Sequence, residues 1–332
     1  MRRPTLEEVA SAAGVSKMTA SRALRGASDV SRDSIARVRE AAERIGYVGN
    51  QLALSLSAQR TNLIGVVMPS MANVVFPEVL SGISAVLEGT GMQAVFGLSD
   101  YDETKEREVI RNMLSWRPSA MIVTGLDQPE ETLRLLRDAD IPVVQLMDLD
   151  GEPIGFNVGL SHGAAGEEMG RALVSSGRRR FGYVGSGLGR DLRAAKRKAG
   201  FEAALRQAGQ SLLTEEIAPD FSSPSLGKRL TRALLQRAPD LDCIYYSNDD
   251  MAAGGVFACM ELGIPVPDRI LIAGFNGLEI ADALPVSIAT SHSPRREMGE
   301  TAARLALEAL KPERDRLERV IAFTPRITLG IE

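Results

Sequence analysis

The chain has 332 residues, of which 44% are hydrophobic and 25% charged; this balance argues against a disordered chain, and at about 100–200 residues per domain the length implies two or three units. The net charge of −4 is uneven: residues 1–60 hold 10 Lys and Arg against 6 Asp and Glu, and the remainder 29 against 37. A basic head on an acidic body means that the head alone approaches a polyanion.

No apolar run of about 7–15 residues follows Met1-Arg2-Arg3, and no window reaches the roughly 18 apolar residues of a membrane span, so a cytoplasmic protein without a membrane partner is expected. The first 60 residues read as four short helices. Thr5 followed by Glu8 is a capping box, and Leu6, Val9 and Ala10 form an apolar stripe behind it. Gly14 supplies a tight turn. Ser16 caps a second helix that turns Ala20 and Leu24 inward and Lys17, Met18, Ser21 and Arg22 outward, with Gly26 ending it. A third helix from Ser31 to Gly46 buries Ile35, Val38 and Ile45, and Asn50 caps a short fourth at Leu52–Ser57.

From Leu63 onward, strands alternate with helices. Leu63–Met68 is a continuous apolar run, as in a strand buried on both faces of a parallel sheet. Similar runs recur at Met92–Phe96, Ala120–Val123, Val143–Met147, Arg180–Val184, Cys243–Tyr246 and Ile270–Phe275, and a last strand lies at Arg326–Gly330. Helical segments lie between most of the runs. This is a doubly wound α/β pattern, long enough for two lobes that divide near residues 155–163.

Two helices joined by a glycine turn in a basic segment fit a helix-turn-helix, although a small bundle with a solvated polar face fits the same residues. In the first reading the second helix enters the major groove, where Lys17 and Arg22 donate to guanine and Met18 packs on a thymine methyl. Thr5, Ser16, Thr19, Ser21 and Arg25 complete the DNA-facing set, largely as phosphate contacts.

The sequences Thr5-Leu6-Glu7-Glu8-Val9-Ala10, Gly14-Val15-Ser16-Lys17-Met18-Thr19-Ala20-Ser21-Arg22-Ala23-Leu24, Ile45-Gly46-Tyr47 and Asn50 resemble the head of the lactose/galactose repressor family of bacterial transcription regulators. The resemblance continues through Leu63-Ile64-Gly65-Val66-Val67, Gly200-Phe201, Ser247-Asn248-Asp249, Val266-Pro267-Asp268 and Ile272-Ala273-Gly274-Phe275. It implies an all-α helix-turn-helix head over residues 1–60, with a hinge helix at 50–58. A two-lobed, periplasmic-binding-protein-like α/β core with doubly wound parallel sheets follows over 61–332. The first lobe is expected at 61–160 and 292–318, the second at 161–291 and 319–332. The resemblance further implies a homodimer on palindromic operator DNA, with Asn50 capping the hinge helix, Ala53 on its DNA face and Leu56 wedged into the central base step.

Open α/β sheets bind ligands beyond the carboxyl ends of their strands. Ser70 follows the first strand there. Phe76 enters the next helix, either to stack on a sugar face or simply as core. Asn248 and Asp249 follow Cys243–Tyr246 and offer an amide and a carboxylate to hydroxyl groups. Arg190, Arg193 and Arg197 share one helix face, and Arg197 matches the family's sugar-contacting arginine, three residues before the Gly200-Phe201 pair. Many family members carry an aspartate where this chain has Asn276, which removes a charge that would repel an anion. Lys17-Met18-Thr19, Pro69-Ser70, Asn73, Val75-Phe76 and Met147-Asp148 resemble the branch that represses gluconate-utilisation genes, so a sugar-acid effector is expected, with a neutral sugar as the alternative. A second departure is Ser161-His162, where many relatives have Asp-Asn.

Gly185-Ser186-Gly187-Leu188-Gly189 lacks the spacing of a dinucleotide loop. The two histidines, His162 and His292, and the two cysteines, Cys243 and Cys259, have no metal-ligand or C-x-x-C spacing. No cofactor, metal or catalytic constellation is expected; an enzyme is the remote alternative.

Overall fold

In the head, α1 (Leu6–Ala13), α2 (Lys17–Leu24) and α3 (Arg32–Ile45) close around small residues, among them Val9, Ala10, Ala13, Ala20, Ala23 and Val38. The capping box at the start of α1 is complete. The Thr5 side chain accepts from the Glu8 N–H, and the Glu8 carboxylate accepts from the Thr5 N–H at 2.7 Å. Gly14 (φ 65°) ends α1 and Gly46 (φ 67°) ends α3, both in the left-handed conformation that glycine adopts without strain. The computed structural model describes residues 4–24, 27, 29–48, 61–72 and 75–330. Gly26, Asn50 and the expected hinge helix lie outside them. The chain divides into two units, Met1–Thr61 and Asn62–Glu332.

The second unit begins with β1 (Leu63–Met68), α4 (Val75–Leu87), β2 (Gln93–Leu98), α5 (Glu103–Ser115), β3 (Ala120–Thr124), α6 (Glu130–Asp138), β4 (Val143–Leu146) and β5 (Phe156–Gly159). It crosses to a second lobe of α7 (His162–Ser175), β6 (Phe181–Ser186), α8 (Leu192–Gln207), β7 (Leu212–Ala218), α9 (Pro224–Arg237), β8 (Cys243–Tyr246), α10 (Asp249–Leu262), β9 (Leu271–Ala273) and α11 (Glu279–Ala283). The strand β10 (Thr290–His292) leads back to α12 (Arg295–Glu308) and β11 (Val320–Ala322), and β12 (Arg326–Thr328) follows.

The first sheet runs β11-β5-β4-β3-β1-β2 and the second β7-β6-β8-β9, with parallel pairing throughout both. In each sheet the first strand has its second on one side and its third on the other, the doubly wound order that opens a crevice beyond the strands' carboxyl ends. Continuous apolar runs mark the central strands correctly: β1, β3, β4 and β8 are buried almost throughout. The edge strand β7 alternates between half-buried and exposed residues and carries Thr214, Glu215 and Glu216, so it offers no such run.

One lobe boundary differs from expectation. The sequence places residues 319–332 in the second lobe, yet β11 runs parallel to β5 in the first sheet, in register Val320↔Asn157 to Ala322↔Gly159. Its backbone groups extend that sheet's ladder, so the chain returns to the second lobe only after Ala322. There β12 pairs antiparallel with β10. The helices α7 and α8 approach closely because a Cβ on Gly166 would overlap the Arg197 carbonyl, and one on Gly200 the Gly163 carbonyl.

Candidate DNA-reading helix and effector cleft

On α2 the expected reading residues share a solvent face. Met18 is 70% exposed, Lys17 and Arg22 are exposed, and Thr19 and Ser21 are half-buried. The Ser16 hydroxyl accepts from the Thr19 N–H at 3.1 Å and lies 2.8 Å from the Thr19 hydroxyl. Lys17 pairs with Glu7 at 3.0 Å and Arg22 with Asp29. Such exposed pairs are weak and exchange readily for phosphate or base contacts. Thr5 is committed to its capping box, which still leaves it at the N-terminal edge of α1. Arg25, Asn50, Ala53 and Leu56 lie outside the described residues.

In the second unit, the strand ends of both lobes meet across a cleft holding two small cavities. One, of about 80 Å³, is walled by residues that include Ser99, Tyr101, Glu106, Gln128, Arg190 and Arg193. The other, of about 60 Å³, draws on Ser70 and Tyr101 from the first lobe and Ser186, Arg190, Phe221 and Asn248 from the second. Tyr101 and Arg190 border both. The Arg190 guanidinium lies 5.0 Å from the Phe221 ring centre, and the Phe221 and Tyr101 rings are 6.3 Å apart. These three side chains form an aromatic and cationic rim.

Beneath the rim lies the basic face of α8. Arg193 is buried, 3.4 Å from Asp191, with its guanidinium 5.6 Å from the Phe76 ring centre. Arg197 is 6% exposed. Its Nη2 donates to the Ser247 carbonyl at 3.0 Å, its Nη1 lies 2.8 Å from His162 Nδ1, and its Cζ stands 4.1 Å from the Phe275 ring centre. The Arg197 Nε has no hydrogen-bond partner among the described residues. Between the two arginines Lys196 reaches the first lobe, donating to Asp148 at 2.6 Å, Asp127 at 2.9 Å and the Asp150 carbonyl at 3.2 Å. Burial alone would lower the Lys196 pKa, but the bonds to Asp148 and Asp127 outweigh it and raise it.

Of the residues expected in this site, Ser70, Arg193 and Asn248 border the cavities, and Arg197 sits beside them through Ser247. Asn248 also caps α10, its side chain accepting from the Met251 N–H. Three assignments change. Asp249 is fully buried and spends its oxygens on the Leu278 N–H and the Thr290 hydroxyl, both at 2.7 Å. It braces the loop after β9 instead of facing a ligand, and burial pushes its carboxyl up to about 6. Asp148, expected as a ligand contact, is fully buried against Lys196 and the Asp150 N–H. Asn276 holds the crossover through its backbone, at φ 110°, donating to Ser291 and accepting from Arg295, and it borders neither cavity. Phe76 packs in the first-lobe core, one of the two roles expected of it, with the Arg193 guanidinium 5.6 Å from its ring centre.

Sequence reasoning missed Tyr101, Phe221, Lys196 and His162 as site residues. Tyr101 was findable as the residue just beyond β2, an end placed too early at Phe96. Burial pushes its hydroxyl up to about 12, with Asp191 adding to the effect.

A helix-turn-helix head joined in one chain to a two-lobed α/β core with a cleft defines a ligand-responsive DNA-binding protein. Residues 5–50 match the family of bacterial regulatory proteins of the lacI type, and residues 171–330 match a periplasmic binding protein-like domain. The chain is 39% identical to the HTH-type transcriptional regulator GntR of Pseudomonas aeruginosa, over 94% of this chain and 92% of that one. It is 33% identical to the regulator IdnR of Escherichia coli, over 93% and 92%. A crystal structure of a LacI family transcriptional regulator from Silicibacter pomeroyi superposes with a TM-score of 0.94 at 44% identity, over 98% of both chains. The lac repressor dimer bound to operator shares the fold, with a TM-score of 0.86 at 22% identity over 98% of each chain. The chain belongs to the LacI family and is a DNA-binding transcriptional regulator.

Proposed function

We propose that this regulator is a cytoplasmic, homodimeric repressor that binds palindromic operator DNA and senses a sugar acid of the gluconate type, with no enzymatic activity of its own. The observation that carries the effector reading is the basic face of α8. Arg193 and Arg197 are both more than nine-tenths buried at the cleft, and the Arg197 Nε is an unused donor. A buried, incompletely paired guanidinium edge suits a carboxylate, which accepts two parallel N–H bonds. Ser70, Asn248 and Tyr101 supply donors and acceptors for the hydroxyl groups, and Phe221 an apolar face. The regulators named GntR and IdnR among its relatives support the same reading.

Among the described residues no helix is long and apolar enough to cross a membrane, as suits a protein that works on DNA. Calorimetric titration with gluconate and with glucose tests the effector, and operator release followed by fluorescence anisotropy tests its consequence. Binding of gluconate alone, with loss of operator affinity, is expected. Tighter binding of glucose would overturn the sugar-acid assignment while leaving the repressor reading in place.

A further inference from the structure

His162 opens α7, at the first crossing between the lobes, and is buried. Its Nε2 lies 2.8 Å from the Met147 carbonyl, and its Nδ1 lies 2.8 Å from Arg197 Nη1. A carbonyl only accepts and a guanidinium only donates. The ring must therefore carry its proton on Nε2, donating to Met147, and keep Nδ1 bare to accept from Arg197. Both bonds exist only in this one neutral tautomer.

We propose that His162 is the positioning residue for Arg197 in effector binding, fixing the guanidinium by a relay that runs from Met147 through the imidazole. This rests on the reading of Arg197 as an effector contact. Met147 directly follows the first-lobe strand β4 and holds φ at 74°, a left-handed conformation that a side chain makes unfavourable. The other two restraints on Arg197, the Ser247 carbonyl and the Phe275 ring, belong to the second lobe. His162 is itself on the second lobe, but its bond to the Met147 carbonyl links the arginine, through the ring, to the first lobe. Its backbone has little freedom of its own, since α7 and α8 meet over Gly166 and Gly200 without room for a Cβ. A long arginine side chain left without this restraint would recover several rotamers, and the effector would have to order it again on binding.

The groups that face His162 agree with a neutral ring. Arg197 touches it, Arg193 and Lys196 stand close by on α8, and the Phe275 ring centre is 5.9 Å away. Burial first, and then the charges of Arg197 and Arg193, hold its pKa well below 6.5 against the opposing pull of the Met147 carbonyl. A proton on Nδ1 would set one N–H against another and break the bond to Arg197.

The test uses the full chain. His162→Gln can keep both bonds, its amide oxygen accepting from Arg197 and its nitrogen donating to Met147, whereas His162→Ala keeps neither. With gluconate as the probe, His162→Ala should bind about tenfold or more weakly and His162→Gln within about threefold of wild type, with operator affinity unchanged in both. Equal gluconate affinity of His162→Ala and wild type would overturn the proposal, as would equal losses in the two variants. An independent readout needs no ligand. In the wild type, ¹⁵N–¹H spectra of labelled histidine should show one ring in the neutral Nε2–H form from pH 8 to pH 6, absent from His162→Gln. Finding this ring as the Nδ1–H tautomer or as the cation would overturn the relay. If wild type failed to bind gluconate, the effector assignment would fall and the spectra would still decide the geometry around His162.

Discussion

Lys196 and Asp148 meet at 2.6 Å across the division between the lobes, the lysine on α8 and the carboxylate just beyond β4. Asp148 is wholly buried and Lys196 is 22% exposed along its side chain, with Asp127 as a second, partly exposed acceptor at 2.9 Å. The pair fixes how the second lobe sits against the first, since neither residue has an equivalent partner within its own lobe among the contacts described.

Removing the lysine strands a buried carboxylate, and breaking such a pair from one side is far more damaging than replacing both partners. Lys196→Met should therefore destabilise the core by about 2–4 kcal/mol, toward the lower end of what a fully buried pair loses because water reaches the ammonium. The double variant Lys196→Met with Asp148→Asn should recover at least half of that loss. Denaturant unfolding of the four proteins in the cycle measures the coupling; additive losses would show that the pair is not a unit.

Arg197→Ala should remove a charge-assisted bond to the effector carboxylate, an interaction of about 1.5–3 kcal/mol or roughly 10–150-fold in affinity. The proposed operator-reading helix α2 belongs to the other unit of the chain. The expected phenotype is normal operator affinity with no release by gluconate at concentrations that empty the wild type. Anisotropy titration of labelled operator with and without gluconate reads both quantities at once, and wild-type release by the variant would remove Arg197 from the effector site.

Arg193 and Arg197 were legible because a helix places residues four apart on one face; Arg190, expected on the same face, lies in the turn before the Asp191 cap of α8. What lies against them was not. Lys196 stood in the same run as an ordinary charge, and its partners Asp127 and Asp148 come from loops after two other strands. Asp249 shows the opposite failure. An Asn-Asp pair after a central strand reads as a ligand-facing amide and carboxylate, and Asn248 does border the cleft. Its neighbour turns inward to Leu278 and Thr290, 29 and 41 residues away in the chain. Sequence periodicity reports which face of an element a residue takes; it carries no information on which distant backbone N–H will claim a carboxylate. The strands β1, β3 and β4 were legible as apolar runs, yet β11 is only three residues long, Val320–Ala322, and joins their sheet through its pairing with β5.

Arg22 lies on the exposed face of α2 beside Met18 and is held by Asp29 in a pair that solvent screens. Arg22→Ala should lose about 1–3 kcal/mol at one base-pair position of each half-site and tolerate substitutions there that the wild type rejects. Binding to a panel of single-position operator variants checks this. A uniform loss across the panel would make Arg22 a phosphate contact and leave sequence reading to Lys17 and Met18.

Glu106 borders the cleft cavity formed with Gln128 and Arg193, and burial pushes its carboxyl from 4.5 up to about 6, with the Gln128 amide and the Arg193 charge pulling it down. A raised folded-state value means that the folded protein holds this proton more tightly than the unfolded chain. Above pH 6 the folded state therefore carries an unfavourable buried charge, and as the pH falls from 6 toward 4.5 the group's contribution to stability rises. Glu106→Gln removes the charge and keeps the size. It should be more stable than wild type at pH 7.5, by no more than about 2 kcal/mol and less where water reaches the carboxyl, and the two should converge near pH 4.5. Urea unfolding of both proteins at pH 7.5, 6 and 4.5 gives the three differences directly. A gap that stayed constant with pH would show that Glu106 is not desolvated in the cleft, and a gap that widened toward acid would reverse the sign of its shift.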